Sequence, residues 1–292
     1  MSAEDALPVA AAPRPRRRQA RREVIYRHSV LVRITHWVNV VAAALLLMSG
    51  LQILNAHPRL YWGADGADAD RPWLEIVALN PDSDRPSGVL RVAGRQIRAT
   101  GLLGVSKAKD GSWSDVAFPR WATLPGVRDL ATGRRWHFFL AWVFVINGLI
   151  YLASGLAGGH FRRDLVPTGR QLRPASIVKD IVDHIRLAHP VGEEAKRYNV
   201  LQKFAYLAVV FVLLPLMVLT GLTMSPGIDA VAPFLLNVLG GRQSARSIHF
   251  ITADLIVLFV LVHVVEVFIA GVFNEIGSMI TGRYTIRTGK GS

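Results

Sequence analysis

The sequence has no cysteine. This excludes disulfide scaffolds, zinc–thiolate sites, iron–sulfur clusters held by this chain, and covalent c-type haem, which requires Cys-x-x-Cys-His. Charge is scarce too. Asp, Glu, Lys and Arg make up 19% of the 292 residues, against about 25% in an average soluble domain. Acidic residues are the scarcer sign, 21 against 34 basic, for a formal net charge of +13. Apolar residues reach 51%, which excludes a disordered chain. No Gly-X-Y period points to collagen, and no longer repeat points to a solenoid. The basic excess suits nucleic acid or an anionic membrane surface, and its location decides between them.

What is present is apolar length. Four runs reach the roughly 20 residues that cross a bilayer. They lie at about Val30–Leu54, Trp136–Leu156, Leu201–Met224 and Ile248–Phe273. Arg14, Arg16, Arg17, Arg18, Arg21, Arg22 and Arg27 precede the first run. They lead straight into a span, so they read as a positive-inside anchor and not as a nucleic-acid tail. The connection from Gly159 to Val200 holds eight Lys or Arg, and the one from Ser225 to Ser247 only Arg242 and Arg246. Arg283, Arg287 and Lys290 follow the last run. Both termini are therefore expected in the cytoplasm of a bacterium, with the protein in its inner membrane.

The expected architecture is an all-α membrane protein, a four-transmembrane-helix bundle. A basic cytoplasmic arm (1–29) precedes a membrane domain (30–273), and a cytoplasmic tail (274–292) follows. A long irregular extracytoplasmic segment (55–135) joins the first two helices. Its pattern is weak, with short strands or amphipathic pieces such as Gly88 to Ile97 between turn signals such as Asp110-Gly111. It reads equally as a docking platform for a partner and as a structural cap.

Chemistry enters with histidine. An ionisable group inside the bilayer costs free energy unless it is paired or ligated. His36 opens the first span, His137 the second, and the fourth carries both His249 and His263. Fourteen residues at 100° each return to within about 40° of the same face, with an axial separation of about 21 Å. One helix thus offers an imidazole near each side of the membrane. The alternating span directions then pair His36 with His263 on the inner side, and His137 with His249 on the outer side. Two imidazoles fall short of the roughly four ligands zinc takes. They match the two axial positions of a b-type haem. The bundle is therefore expected to hold two haem b. Gly50 and Gly148 fall where a macrocycle needs room, or where helices simply pack closely. Arg33 suits the inner propionates, and Arg134, Arg135 and Arg246 the outer ones, unless these cations only snorkel to the interface. His28, His57, His160, His184 and His189 are expected on the exposed surface.

These stretches resemble a known family: the di-haem b-type cytochromes that are membrane subunits of nickel–iron hydrogenases, respiratory formate dehydrogenase and thiosulfate reductases. The resemblance lies in Arg33-Ile34-Thr35-His36-Trp37, Arg135-Trp136-His137, Tyr198-Asn199-Val200-Leu201-Gln202-Lys203 and the His249/His263 pair. The long outer segment, with Phe118-Pro119-Arg120-Trp121, is most like the cytochrome b partners of molybdopterin oxidoreductases. The resemblance implies a quinone site (menaquinone or ubiquinone) beside the inner haem, matching Asn199 and His263, with Gln202 and Lys203 within one turn. Asn199 also reads as the N-cap of the third span.

The expected function is electron transfer between an extracytoplasmic oxidoreductase subunit and the quinone pool. A molybdopterin enzyme is the favoured partner and a hydrogenase the second. A standalone quinone-linked oxidoreductase of the superoxide-oxidase type would use the same core. A transporter is the non-redox rival, and would be expected to show broken helices at matched positions. Membrane lipid is an expected contact, and nucleic acid is not.

Overall fold

A computed structural model describes residues 21–66, 70–108, 110–186 and 199–288. Arg14, Arg16, Arg17, Arg18, His189 and Lys290 lie outside them. Four helices are long and apolar enough to cross a membrane: span one Val30–Leu54, span two Leu130–Ala157, span three Val200–Thr223 and span four Arg242–Thr281. Their outward side chains are apolar and exposed, among them Val41, Phe139, Trp142, Ile146, Leu261 and Phe268. Such surfaces suit hydrocarbon, not water.

The span ends follow local chemistry. Ser29 caps span one, its Oγ accepting from Val32 N at 3.3 Å. Asp129 caps span two by accepting from Thr132 N at 3.0 Å, so this helix starts at Leu130, ahead of the apolar run itself. In span three a π-helical turn, Val209–Leu213, immediately precedes Pro215. Proline has no N–H to donate to the preceding turn, and a π turn absorbs that gap without ending the helix. Span four runs well past its apolar stretch on both sides. Its helical geometry breaks at Gly271 (φ 112°, ψ 84°) and it ends at Gly282, whose φ of 82° is the left-handed C-cap that favours glycine.

The expectation of an all-α protein with an irregular segment between the first two spans needs correction at both ends of the bundle. At one end, β1 (Arg21–Tyr26) and a strand after span four, Arg283–Thr288, pair antiparallel, with Glu23 opposite Ile286 and Ile25 opposite Tyr284. Parts of the sequence-level arm and tail are therefore one ribbon. The Asn274 side chain brackets it, donating to Thr285 O and accepting from Thr285 N, both at 3.0 Å. Arg27 lies over the Tyr284 ring at 4.5 Å and 3.7 Å from Glu275. Both described chain ends thus emerge on the same side, as an even number of crossings requires.

At the other end, the outer segment is not irregular. Strands β2 (Arg59–Leu60), β3 (Leu74–Leu79), β4 (Ser87–Val92) and β5 (Arg95–Arg98) form one antiparallel sheet in that order. Strands β6 (Val105–Lys107) and β7 (Trp113–Asp115) add a hairpin. Ala93 and Gly94, both at positive φ, make the two-residue turn between β4 and β5. The core of this unit is Leu54, Leu60, Leu74, Ile76 and Ala117, packed with Trp73, Phe118 and Phe250. Leu54 belongs to span one and Phe250 to span four, so the sheet is built onto the bundle. Polar contacts fasten it further. Ser247 Oγ donates to Tyr61 O at 2.5 Å and accepts from Trp73 Nε1 at 2.9 Å, while Gly63 N donates to Ser244 Oγ at 2.7 Å.

Two outcomes follow from this packing. A Cβ on Gly88 would lie 1.9 Å from Leu103 O and 2.9 Å from Val105 N, both backbone atoms that cannot step aside. Gly88→Ala is expected to destabilise the outer unit by at least about 2 kcal/mol. Limited proteolysis of the purified protein would read this as faster cleavage between the first two spans, with the four spans intact. On the ribbon side, burial first and the neighbouring Arg27 charge second lower the His28 pKa from 6.5 to about 4. The folded state then holds His28 neutral where the unfolded chain takes up a proton, so stability is full above pH 6.5 and falls as pH drops toward 4. Thermal unfolding of purified protein across that window should show the fall, and His28→Asn should flatten it.

Candidate functional site

The bundle brings the four span histidines together as two facing pairs. The His36 and His263 ring centroids are 6.5 Å apart with planes at 71°, and those of His137 and His249 are 6.2 Å apart with planes at 64°. A metal–imidazole bond is about 2.0 Å and the bonding nitrogen lies about 1.1 Å from the ring centre. Imidazoles trans across one metal therefore have centroids about 6.2 Å apart. Both pairs have that spacing. Among the described residues, no group of three or more His, Cys, Asp or Glu gathers into a metal-ligand cluster. Two facing imidazoles without a third donor fit the axial ligands of a haem.

The outer rings are held in detail. His137 Nδ1 lies 3.1 Å from Ser49 Oγ, and His249 Nδ1 lies 3.0 Å from Thr220 Oγ1. An engaged Nδ1 leaves Nε2 as the nitrogen for a metal. Each hydroxyl is followed by glycine. A Cβ on Gly50 would sit 3.4 Å from His137 Cε1, and one on Gly221 would sit 3.4 Å from His249 Cε1. Gly50 therefore lies beside the His137 ring, and Gly221 beside the His249 ring. A Cβ on Gly148 would meet nothing within 4 Å, so open space lies beside span two there. The inner rings have aromatic neighbours, with Trp37 edge-on to His36 at 5.5 Å and Phe259 stacked on His263 at 5.9 Å.

Around span one, Asn147 of span two donates to Thr35 O at 2.8 Å and to Asn39 Oδ1 at 2.7 Å, which fixes the helix at His36. Arg33 donates through one guanidinium nitrogen to Ile280 O, and Trp37 Nε1 donates to Met279 O at 3.1 Å. Arg33 Nε is buried and has no hydrogen-bond partner. A buried, orphaned donor one turn from His36 suits an anionic propionate. The other expected propionate residues stand differently. Arg134 lies over the Phe138 ring at 5.6 Å, and Arg135 is exposed. Arg246 donates to His57 O at 2.5 Å, on the loop leading into the outer sheet.

At the expected quinone position, Asn199 Oδ1 accepts from Gln202 N at 2.8 Å and Gln202 Oε1 accepts from Asn199 N at 3.3 Å. This is a capping box on span three. Asn199 does cap the helix, and among the described residues its Nδ2 makes no hydrogen bond. Lys203 is buried and donates to Val166 O at 3.1 Å. Three histidines expected on the exposed surface are half-buried instead: His28, His57 stacked on Tyr61 at 5.8 Å, and His160, whose Nδ1 lies 2.6 Å from Asp164 Oδ2. The reason is local. Each lies where a span turns into a connection that folds back over the bundle end. The His184 side chain lies outside the described residues.

Sequence reasoning reached the four histidines and Gly50 but missed Ser49, Thr220 and Gly221. A signal was present: the hydroxyl–glycine dipeptides Ser49-Gly50 and Thr220-Gly221 stand near the same end of spans one and three.

No solved structure matches the chain. A relative described as the putative protein-methionine-sulfoxide reductase subunit YedZ1 of Azospira oryzae is 28% identical over 248 residues, covering 84% of this chain and 92% of that protein. Residues 27–282 match the family described as prokaryotic cytochrome b561. That stretch contains all four spans and all four facing histidines, and the chain belongs to the prokaryotic cytochrome b561 family: a multi-pass membrane cytochrome b.

Proposed function

We propose that the chain is the membrane subunit of an oxidoreductase complex, carrying electrons between an extracytoplasmic partner and the quinone pool. It would do so through two haem b, one between His137 and His249 and one between His36 and His263. The observation that carries this reading is the pair of imidazole separations, 6.2 and 6.5 Å, at two depths of one bundle. The haems, when bound, supply one-electron carriage across the hydrocarbon. The chain's own residues supply ligation, burial and orientation.

On the inner side, reduction of a quinone takes two electrons and two protons, and quinol oxidation returns both. Asn199 Nδ2, Gln202 and Lys203, at the start of span three where Asp180 also accepts from Val200 N at 3.0 Å, are the polar groups this reading assigns to the headgroup. Menaquinone and ubiquinone both present the carbonyl oxygens this needs. On the outer side, the four-stranded sheet is fixed to spans one and four, giving a partner a rigid platform beside His249. The YedZ1 relative is named as a reductase subunit, which supports a partner oxidoreductase here. Resemblance favours a molybdopterin enzyme over a hydrogenase. The basic residues of the termini and of the connection after span two support a cytoplasmic side for all three, with the chain in a bacterial inner membrane.

Reduced-minus-oxidised spectra of membranes containing the full chain test the haem reading. A b-type signal is expected, reduced by about half in His36→Ala or in His137→Ala and abolished when both are combined. Absence of the signal in the parent chain, or complete loss in either single variant, overturns the two-haem arrangement. Orientation has its own test in reporter fusions. Alkaline phosphatase inserted at the Asp110-Gly111 turn should be active, and fused after Ser292 it should be inactive.

A further inference from the structure

The two imidazole pairs are not built alike. On the outer side each ring meets a hydroxyl whose own proton is already committed. Ser49 Oγ donates to Leu45 O at 2.8 Å, and Thr220 Oγ1 donates to Leu216 O at 2.7 Å. Leu46 O and Met217 O, each at 3.1 Å, also take up the hydroxyl hydrogens, which leaves each oxygen with lone pairs able to accept from the Nδ1–H of His137 or His249. Ser49 and Thr220 are both fully buried, so water does not compete for these bonds. A Cβ on Gly50 or Gly221 would meet the Nδ1–Cε1 edge of the same ring at 3.4 Å, so each glycine keeps that edge clear beside its hydroxyl. The same two-residue device thus comes from span one and from span three, one copy for each outer imidazole. Among the described residues, no hydrogen bond reaches the His36 or His263 ring. Trp37 and Phe259 pack there instead.

We propose that Ser49 and Thr220 are positioning residues that hold both outer imidazoles as Nδ1–H tautomers and make them more basic ligands than the inner pair, setting the outer site's reduction potential below the inner site's. The inference rests on the haem reading above. Donation from Nδ1–H pushes electron density toward Nε2. The relay Nδ1–H to hydroxyl to backbone carbonyl polarises each bond in turn. A richer ligand stabilises oxidised iron over reduced iron, and second-shell hydrogen bonding is one of the levers by which a protein sets haem potential. Both outer ligands carry the relay and, among the described residues, neither inner ligand does, so the two effects add on one side only.

Potentiometric redox titration of the difference spectrum, on membranes containing the full-length chain, tests this. The parent should show two midpoints, with the lower one missing in His137→Ala. Thr220→Val keeps the side-chain shape and removes the hydroxyl, and Ser49→Ala removes the other. Each should raise the lower midpoint and leave the upper one in place, and the double variant should raise it further. Ser49→Thr and Thr220→Ser should restore the parent value. Unchanged midpoints, equal shifts in both, or loss of the upper midpoint in His137→Ala overturn the proposal while the haem reading stands. If Ser49→Ala loses the outer haem, retention of that haem in Ser49→Thr supports a positioning role, and its loss there too overturns it. A parent chain with no haem spectrum removes the haem reading and this inference with it.

Discussion

An imidazole in hydrocarbon is tolerated only when it is paired or ligated, and the four span histidines meet that constraint by facing one another in twos. Span four is the shared member, carrying one ring of each pair. Its rotation about its own axis therefore matters more than that of any other helix, since a turn of about 100° would aim both rings away from their partners. Much of the structure reads as a means of fixing that rotation.

The outer sheet is the main device. Ser244 and Ser247 sit within a turn and a half of His249 and are tied to Gly63, Tyr61 and Trp73. Arg246 adds a bond to His57 O from the same turn. These contacts grip span four on one face just above its outer imidazole. At the inner end, Arg33 and Trp37 of span one reach the carbonyls of Ile280 and Met279, and the terminal ribbon closes around Asn274 and Arg27. The helix is held at both ends, and its helical geometry breaks at Gly271, between His263 and the ribbon. Of the two roles weighed for the outer unit in the sequence, its contacts with the spans show the structural cap.

The arginines illustrate how tertiary context redistributes similar residues. Arg33 and Arg246 both stand about one turn before an imidazole, and both spend a nitrogen on a backbone carbonyl across the bundle. Arg33 keeps a buried Nε without a partner, whereas Arg134 settles on an aromatic ring at the surface. Sequence position alone makes these residues equivalent, and packing distinguishes them.

The sequence by itself determined the spans, because about 20 apolar residues in a row admit few other fates, and it determined which imidazoles could meet, because helical period and alternating direction are fixed by chain geometry. It did not determine the outer sheet. In Leu74–Leu79 one face packs Leu74 and Ile76 with span residues Leu54 and Phe250, the other buries Glu75 between Arg59 and Arg91, and Val77-Ala78-Leu79 is apolar throughout, so the strand lacks the alternation that marks one wet face. Nor did it reveal the pairing of the two chain ends, since Arg21–Tyr26 and Arg283–Thr288 are joined by contacts across nearly the whole length of the chain. The hydroxyls of Ser49 and Thr220 gained their place only when spans one and three were set beside spans two and four. A side chain's partner across a bundle depends on helix rotation, and that rotation is decided by packing.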